Sequence, residues 1–399
     1  MVGFASVVNA LEAGILSKMK GLIVSFASQE TIVIVGGGIA GLALARTLEA
    51  GGVPYVLVER RADAQDGGLA INLPGNAIQA LATLGLRDRV EALGHPFRRR
   101  EYRTARDKLL FEIDEDAFWG SALRPRSMRR SDLTAILREG LNPERQRCGV
   151  EVRSLDLDAA RPNVLLADGT ALNASLIVGA DGVRSTVRRA LFGSDAGEGH
   201  AMLAEASWRF MAPNPGIDCW TVWAGAEGMV LLMPVDEHEV YGWAAITKPH
   251  ARNLSRASLI ELAKHFPDRV REAVAQGMAR AGGLYHSPLE EVRLECWHGK
   301  NAVLIGDAAH ATAPVWAEGA ALGMEDAIVL GRLLADGPDI PAALVEFEAQ
   351  RRSRVGHVQA QTDAMSRAAK LPPMLRNMLL PFVGPKKYRQ TYGPLMEPV

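Results

Sequence analysis

Cysteine, charge imbalance and long apolar runs are all scarce in this chain. Its 399 residues include three cysteines, Cys148, Cys219 and Cys296, and no Cys-x-x-Cys pair. This excludes a disulfide framework, a cysteine-based zinc site and a dithiol redox centre; no metal is expected, and a reducing, cytoplasmic setting fits. Lys and Arg number 45 against 46 Asp and Glu, a formal charge of −1. No global field therefore attracts nucleic acid or an anionic membrane. Apolar stretches before Gln29 are broken by Glu12, Lys18 and Lys20, with no basic segment ahead of them. Residues 1–28 thus read as an N-terminal extension, with no signal peptide or membrane span. A content of 48% hydrophobic and 23% charged residues is that of a globular protein large enough for two or three folding units.

Glycine is placed with purpose. Gly36, Gly38 and Gly41 form a Gly-x-Gly-x-x-Gly turn directly after the apolar run Ile32-Val33-Ile34-Val35, and Glu59 ends the next apolar run. The first glycine permits a tight strand-to-helix turn, the second lets a pyrophosphate approach the backbone, and the third lets helix and strand pack closely. A helix from about Ile39 to Ala50 aims its free amides at the phosphates, and Glu59 can accept both ribose hydroxyls of an adenosine. A ligand-free glycine turn is the plain alternative, but strand, turn, helix, strand and acid occur in order.

Further along, a helix follows Pro74 and another carries Leu133, Ile136 and Leu137, with Ser131 or Asp132 as its cap. Val164-Leu165-Leu166 turning at Asp168-Gly169 into Leu176-Ile177-Val178 predicts a hairpin. Arg98, Arg99, Arg100, Arg103, Arg106 and Lys108 form a basic stretch that reads as a solvated strand face or a landing site for a phosphorylated reductant. From Ala204 to Ile246 the chain predicts an antiparallel meander turning at Asp236-Glu237-His238. Six of the seven tryptophans lie between Trp208 and Trp316, as core or pocket lining. A helix from about Ala320 to Leu334 and an amphipathic tail from Ile340, broken at Leu371-Pro372-Pro373, complete the chain; Leu375, Met378, Leu379 and Leu380 can dock on the body or meet another subunit.

The predicted fold is α/β, with a discontinuous Rossmann-like unit (29–94, 119–203 and 287–360), an inserted antiparallel sheet unit for substrate (95–118 and 204–286) and a helical tail (361–399). Two further strands end in Gly179-Ala180-Asp181-Gly182-Val183-Arg184-Ser185 and Gly306-Asp307-Ala308-Ala309-His310, the edge at which open α/β sheets bind ligands. With Gly36–Gly41 and Glu59-Arg60-Arg61, these motifs resemble the single-component FAD-dependent monooxygenases, the flavoprotein aromatic hydroxylases, over roughly Ile32 to His357. The resemblance implies a glutathione-reductase-type FAD domain in which Gly36, Gly38, Ile39, Ala40, Gly41, Glu59 and Arg60 hold the adenosine half. It puts Arg130 beside the phosphates, and Asp181 near the pyrophosphate and a transient NADPH or NADH. Gly306 and Asp307 hold the ribityl chain, and Pro314, Gly319, Ala320 and Ala321 the flavin. It implies transfer of one oxygen atom from O2, by way of a flavin C4a-hydroperoxide, to an apolar aromatic or polyketide/terpenoid-like molecule.

Candidates for the substrate pocket are Trp208, Arg209, Trp220, Trp223, Met229, Leu231, Met233 and Trp243, of which strand alternation lets about half face inward. Where the family carries Gly-Gln-Gly, this chain has Ala317-Glu318-Gly319. Glu318 either turns away, is protonated, or acts on substrate as acid or base; Arg209, Tyr241 and His238 are the other catalytic candidates, and His310 the least suited. A flavoprotein with a non-redox role such as cyclisation and a plain NAD-binding dehydrogenase or binding protein are the rival readings. A monomer or homodimer acting on a small molecule is expected.

Overall fold

The computed structural model describes residues 31–62, 69–194, 196–247, 255–280, 282–299, 301–337 and 339–399; the expected N-terminal extension lies outside them. A six-stranded sheet runs in the order His298–Gly299, Ala302–Leu304, Leu176–Gly179, Ile32–Val35, Tyr55–Glu59, Gln146–Cys148. All its pairings are parallel except that of His298–Gly299. Ile32–Val35 and Leu176–Gly179 are buried at every residue, as expected of apolar runs covered on both faces. That requirement overturns the predicted hairpin. Asn163–Leu166 turns back into Ala171–Asn173 instead, and Leu176–Gly179 is drawn into the sheet beside Ile32–Val35.

Helix Ile39–Ala50 follows the glycine turn and packs against helix Gly319–Asp336. Their approach is close because a Cβ on Gly331 would lie 2.6 Å from Thr47 Cγ2. Helix Arg130–Arg138 starts two or three residues earlier than a cap at Ser131 or Asp132 implies, and neither residue caps it.

The second sheet has seven strands in the order Leu284–Pro288, Ala206–Pro213, Glu239–Ile246, Gly228–Pro234, Trp220–Ala224, Arg99–Thr104, Leu109–Asp114. It is antiparallel except between Trp220–Ala224 and Arg99–Thr104. His95–Pro96 pairs with Arg126–Arg129 and not with this sheet. Alternation splits the side chains cleanly. Trp208, Phe210, Trp223, Val230, Leu232 and Val240 form a core with Leu259 of helix Arg256–Ala263, Val270 and Val274 of helix Asp268–Ala279, and Phe266 between them. Met211, Trp220, Met229, Leu231, Met233, Tyr241 and Trp243 face the other way, against Ala70, Ala313 and Val315.

Helix Ile340–Ala369 is followed by helix Pro373–Tyr392, which crosses strand Leu109–Asp114 where a Cβ on Gly384 would come within 2.3 Å of the Phe111 ring. Among the described residues no helix is long and apolar enough to cross a membrane. The helix crossing at Gly331 can be tested directly. Gly331→Val should destabilise the protein by about 1–3 kcal/mol in urea unfolding, the usual cost of overpacking; an unchanged midpoint would show that the helices do not meet there.

Candidate cofactor and substrate site

The glycine turn leaves space in one place only. Gly36 sits at φ +110°, and a Cβ there would lie 2.4 Å from the Ala180 carbonyl oxygen; one on Gly41 would lie 1.9 Å from the Gly36 carbonyl oxygen. These two glycines let turn, helix and neighbouring strand touch. A Cβ on Gly38 would meet nothing within 4 Å, so an anion can reach the first amides of helix Ile39–Ala50 there. Glu59 is held at the strand end: its Oε2 accepts from the Gly37 N–H at 2.7 Å and its Oε1 from the Arg61 N–H at 2.9 Å. Arg60 is exposed beside it.

Asp307 is exposed at the start of the short helix Asp307–His310, after Gly306 at φ +59°. A Cβ on Gly319 would lie 3.4 Å from Asp307 Oδ1, so the carboxylate and the glycine end of helix Gly319–Asp336 share one opening. Asp181 is used differently from expectation. Its Oδ2 accepts from the Thr186 and Val187 N–H groups at 2.6 and 3.3 Å, satisfying amides that the start of a helix leaves open. Oδ1 is buried with no protein partner among the described residues, and burial pushes the carboxyl pKa up against those hydrogen bonds. Asp181 thus has a structural role that its motif did not reveal.

Under these loops lies a buried ionic cluster. Asp326 Oδ2 accepts from the Gly306 N–H at 2.9 Å and lies 2.6 Å from His310 Nε2, while Oδ1 takes the Arg351 Nε–H at 2.8 Å. Arg351 and Arg354 both donate to Glu325, and Asn76 Nδ2 joins Glu325 to Glu318 at 3.1 and 2.8 Å. Burial acts to raise the Asp326 pKa, but the adjoining His310 and Arg351 hold it at about 2. The His310 ring is therefore engaged by a buried carboxylate.

Ala317 has φ +59°, the left-handed conformation that costs an L-residue about 1–2 kcal/mol. The backbone keeps the shape that a glycine would adopt at no such cost. Glu318 is only 1% exposed; it turns inward onto Asn76 and does not face the opening at Asp307. Burial, opposed by the Asn76 hydrogen bond and reinforced by nearby Glu325, pushes its pKa to about 8. The carboxyl is enclosed, and its Oε1 has no protein partner among the described residues.

The inner face of the large sheet divides the pocket candidates. Trp208 and Trp223 belong to the opposite core and line nothing. Met233 is fully buried, and Trp220 stacks under the Arg100 guanidinium at 4.4 Å. Met229, Leu231, Tyr241 and Arg209 keep accessible surface, and Trp243 packs with Val315 and Ala313 of the loop after His310. Burial pushes the Tyr241 hydroxyl up to about 12, with Arg209 and Arg130 pulling it down; near neutral pH Tyr241 is a hydrogen-bond donor and not a base. His238 is exposed in the turn at the far end of its strand. Part of the basic stretch is paired internally, Arg99 with Asp218 and Glu101, Arg100 with Glu115, and Arg103 with Glu101, while Arg106 and Lys108 are exposed.

One grouping that sequence spacing did not suggest is Cys296, His298 and Glu348, whose ligand atoms lie within 4.8 Å of one another. Glu348 pairs with Arg352 and accepts from the Trp297 N–H at 2.9 Å, so its carboxylate is already engaged.

The raised Glu318 pKa carries a sign that can be tested. In the unfolded chain this carboxyl ionises near its ordinary value, so folding holds a proton that the unfolded state releases. Its contribution to stability is fully present below about pH 4.5 and is lost as pH rises through about 8, by linkage. Glu318→Gln should flatten the fall in stability between pH 5 and 8 and raise the unfolding free energy at pH 8 by about 1–3 kcal/mol; parallel curves for variant and wild type would overturn the assignment.

A family model described as "FAD binding domain" matches residues 29–361. The chain is 32% identical over 340 residues to a 2-heptyl-3-hydroxy-4(1H)-quinolone synthase of Pseudomonas aeruginosa, covering 83% of this chain and 87% of that one. It is 28% identical over 335 residues to an FAD-dependent urate hydroxylase of Klebsiella pneumoniae, covering 81% and 86%. The structure of Klebsiella pneumoniae HpxO complexed with FAD and uric acid superposes with a TM-score of 0.78 at 23% identity, covering 92% of this chain and 94% of that one, which shows the shared fold. The open Gly38 turn, the anchored Glu59 and the Asp307–Gly319 opening fit the cofactor that such a family binds, and the chain belongs to the single-component FAD-dependent monooxygenases.

Proposed function

We propose that the site adds one oxygen atom to an apolar, electron-rich aromatic molecule, with a fused N-heteroaromatic ring bearing an apolar substituent as the leading class, and that NADPH or NADH is the transient reductant. The observation that carries this reading is the inner sheet face. Met229, Leu231 and Trp243 present apolar surface against Val315 of the cofactor loop, while Arg209 and Tyr241 supply polar atoms on the same face. The name of the relative at 32% identity, a 2-heptyl-3-hydroxy-4(1H)-quinolone synthase, supports it through the ring class of its product.

Gly38, Ile39 and Ala40 would receive the pyrophosphate of FAD, with Glu59 and Arg60 at the adenosine and Arg130 beside the phosphates. Asp307, Pro314 and the amides of Gly319, Ala320 and Ala321 would receive the flavin half. Bound FAD supplies the activation of O2, chemistry that belongs to the cofactor. The protein's share is to hold the aromatic ring against the loop and keep water out with Met229, Leu231 and Trp243. Arg209, with the Arg130 charge nearby, favours the anionic form of an acidic hydroxyl or enol on the substrate, which raises electron density at the carbon to be oxygenated. Tyr241 donates a hydrogen bond to the same oxygen. Three unpaired cysteines support a reducing cytoplasm. The relatives do not favour a non-redox role or a dehydrogenase.

The test is NAD(P)H oxidation by the purified flavoprotein under air with a panel of quinolones, phenols and polyketide-like compounds. One compound should accelerate flavin bleaching and appear with one added oxygen atom; bleaching that no compound accelerates would overturn the reading. Arg209→Gln should lower kcat/KM about 10- to 100-fold for a substrate with an acidic hydroxyl, the scale of a lost charged hydrogen bond, with partial recovery in Arg209→Lys. Asp307→Ala should lose FAD absorbance while retaining its circular dichroism, and full FAD occupancy would remove Asp307 from the site.

A further inference from the structure

The outer face of helix Pro373–Tyr392 plays no part in this site. Met374, Leu375, Met378, Leu379, Phe382 and Val383 are all exposed there, Met374 by 87% and Phe382 by 82%. Their spacing of four places them in two adjacent rows on one side of the helix. The opposite side is pinned. Arg376 donates to the Ala224 and Gly225 carbonyls at 3.0 and 2.8 Å, Gly384 abuts Phe111, Tyr388 donates to Glu115, and Tyr392 donates to the Trp316 carbonyl. The rows are therefore held outward by the fold. Contiguous apolar patches of this kind mark interaction surfaces.

The charge around the patch has one sign. Residues 364–396 contain Arg367, Lys370, Arg376, Lys386, Lys387 and Arg389 and no Asp or Glu. Arg367 and Lys370 are exposed before the apolar rows, and Lys386 and Arg389 after them. We propose that this helix face docks on an anionic bilayer surface, with the two apolar rows entering the boundary between headgroups and acyl chains and the basic residues at both ends meeting lipid phosphates. This is the pattern of an interfacial helix that lies on a membrane without spanning it. A second copy of the chain suits the face less well. Two-fold pairing of the helices, parallel or antiparallel, sets basic ends against basic ends, and the segment carries no carboxylate to answer them. The overall charge of −1 hides this local asymmetry.

Flotation of the full-length holoprotein with vesicles of phosphatidylcholine alone and of equal parts phosphatidylcholine and phosphatidylglycerol tests the proposal. The protein should float with the mixed vesicles, roughly tenfold less at high salt as screening requires, and less with phosphatidylcholine alone. Met378→Glu/Phe382→Glu should abolish flotation, and Lys386→Glu/Arg389→Glu should remove the preference for the anionic lipid, both with unchanged FAD absorbance and melting temperature. Wild-type protein that floats with neither vesicle would overturn the proposal. So would a wild-type dimer by light scattering that the Met378→Glu/Phe382→Glu variant converts to monomer, since it would assign the face to a second copy.

Discussion

The buried Asp326 carboxylate ties together the parts that form the site. It takes the Gly306 N–H, His310 and Arg351 at once, so the turn before Asp307, the short helix after it and two long helices share one charged centre. Asp326 is 0% and Arg351 1% exposed, and burying such charges costs several kcal/mol per ion unless every one is answered. Here Glu325, Arg354 and Asn76 supply further partners, although Arg351 Nη1 and Asn76 Oδ1 have none among the described residues. Removing any member leaves a charge stranded in a medium that cannot solvate it, which makes the relative placement of the Asp307 and Gly319 loops rigid.

Close backbone contact completes what the charges begin. Cβ atoms on Gly306 and Gly323 would each lie closer to Ala40 Cβ than van der Waals contact, at 3.0 and 3.2 Å. The glycine turn at Gly38 and the opening at Asp307 are thereby held at a separation set by small residues. The loop between them carries an unusual pair. Ala317 keeps a left-handed backbone that suits glycine, and Glu318 is folded inward as a buried carboxyl of raised pKa. Asn76 links Glu318 to Glu325 of the buried cluster.

Much of the fold was legible because local rules governed it. The bounds of helix Ile39–Ala50 agree with the glycine motif and the apolar pattern, and the meander turning at Asp236-Glu237-His238 is the observed pairing of Gly228–Pro234 with Glu239–Ile246. The hairpin at Asp168-Gly169 was half read: the turn is correct, but its partner is the polar strand Ala171–Asn173. A fully apolar run such as Leu176-Ile177-Val178 is driven to a position covered on both faces, and a local turn signal cannot show where that position lies.

The amino-acid sequence by itself determined the cofactor class, because three strand-end motifs carrying glycine and carboxylate resemble those of one FAD-binding family. It also determined elements such as strand Ile32–Val35 and helix Ile39–Ala50, since apolar periodicity and the glycine turn act within a few residues. Only the tertiary structure decided which tryptophans face the cofactor loop and which fill the outer core, because alternation fixes two faces without naming them. It alone showed that Asp181 spends an oxygen on a helix start, that Glu318 is enclosed, and that the apolar rows of helix Pro373–Tyr392 point outward. Each of these depends on which element covers which face, a property of contacts between segments far apart in the chain.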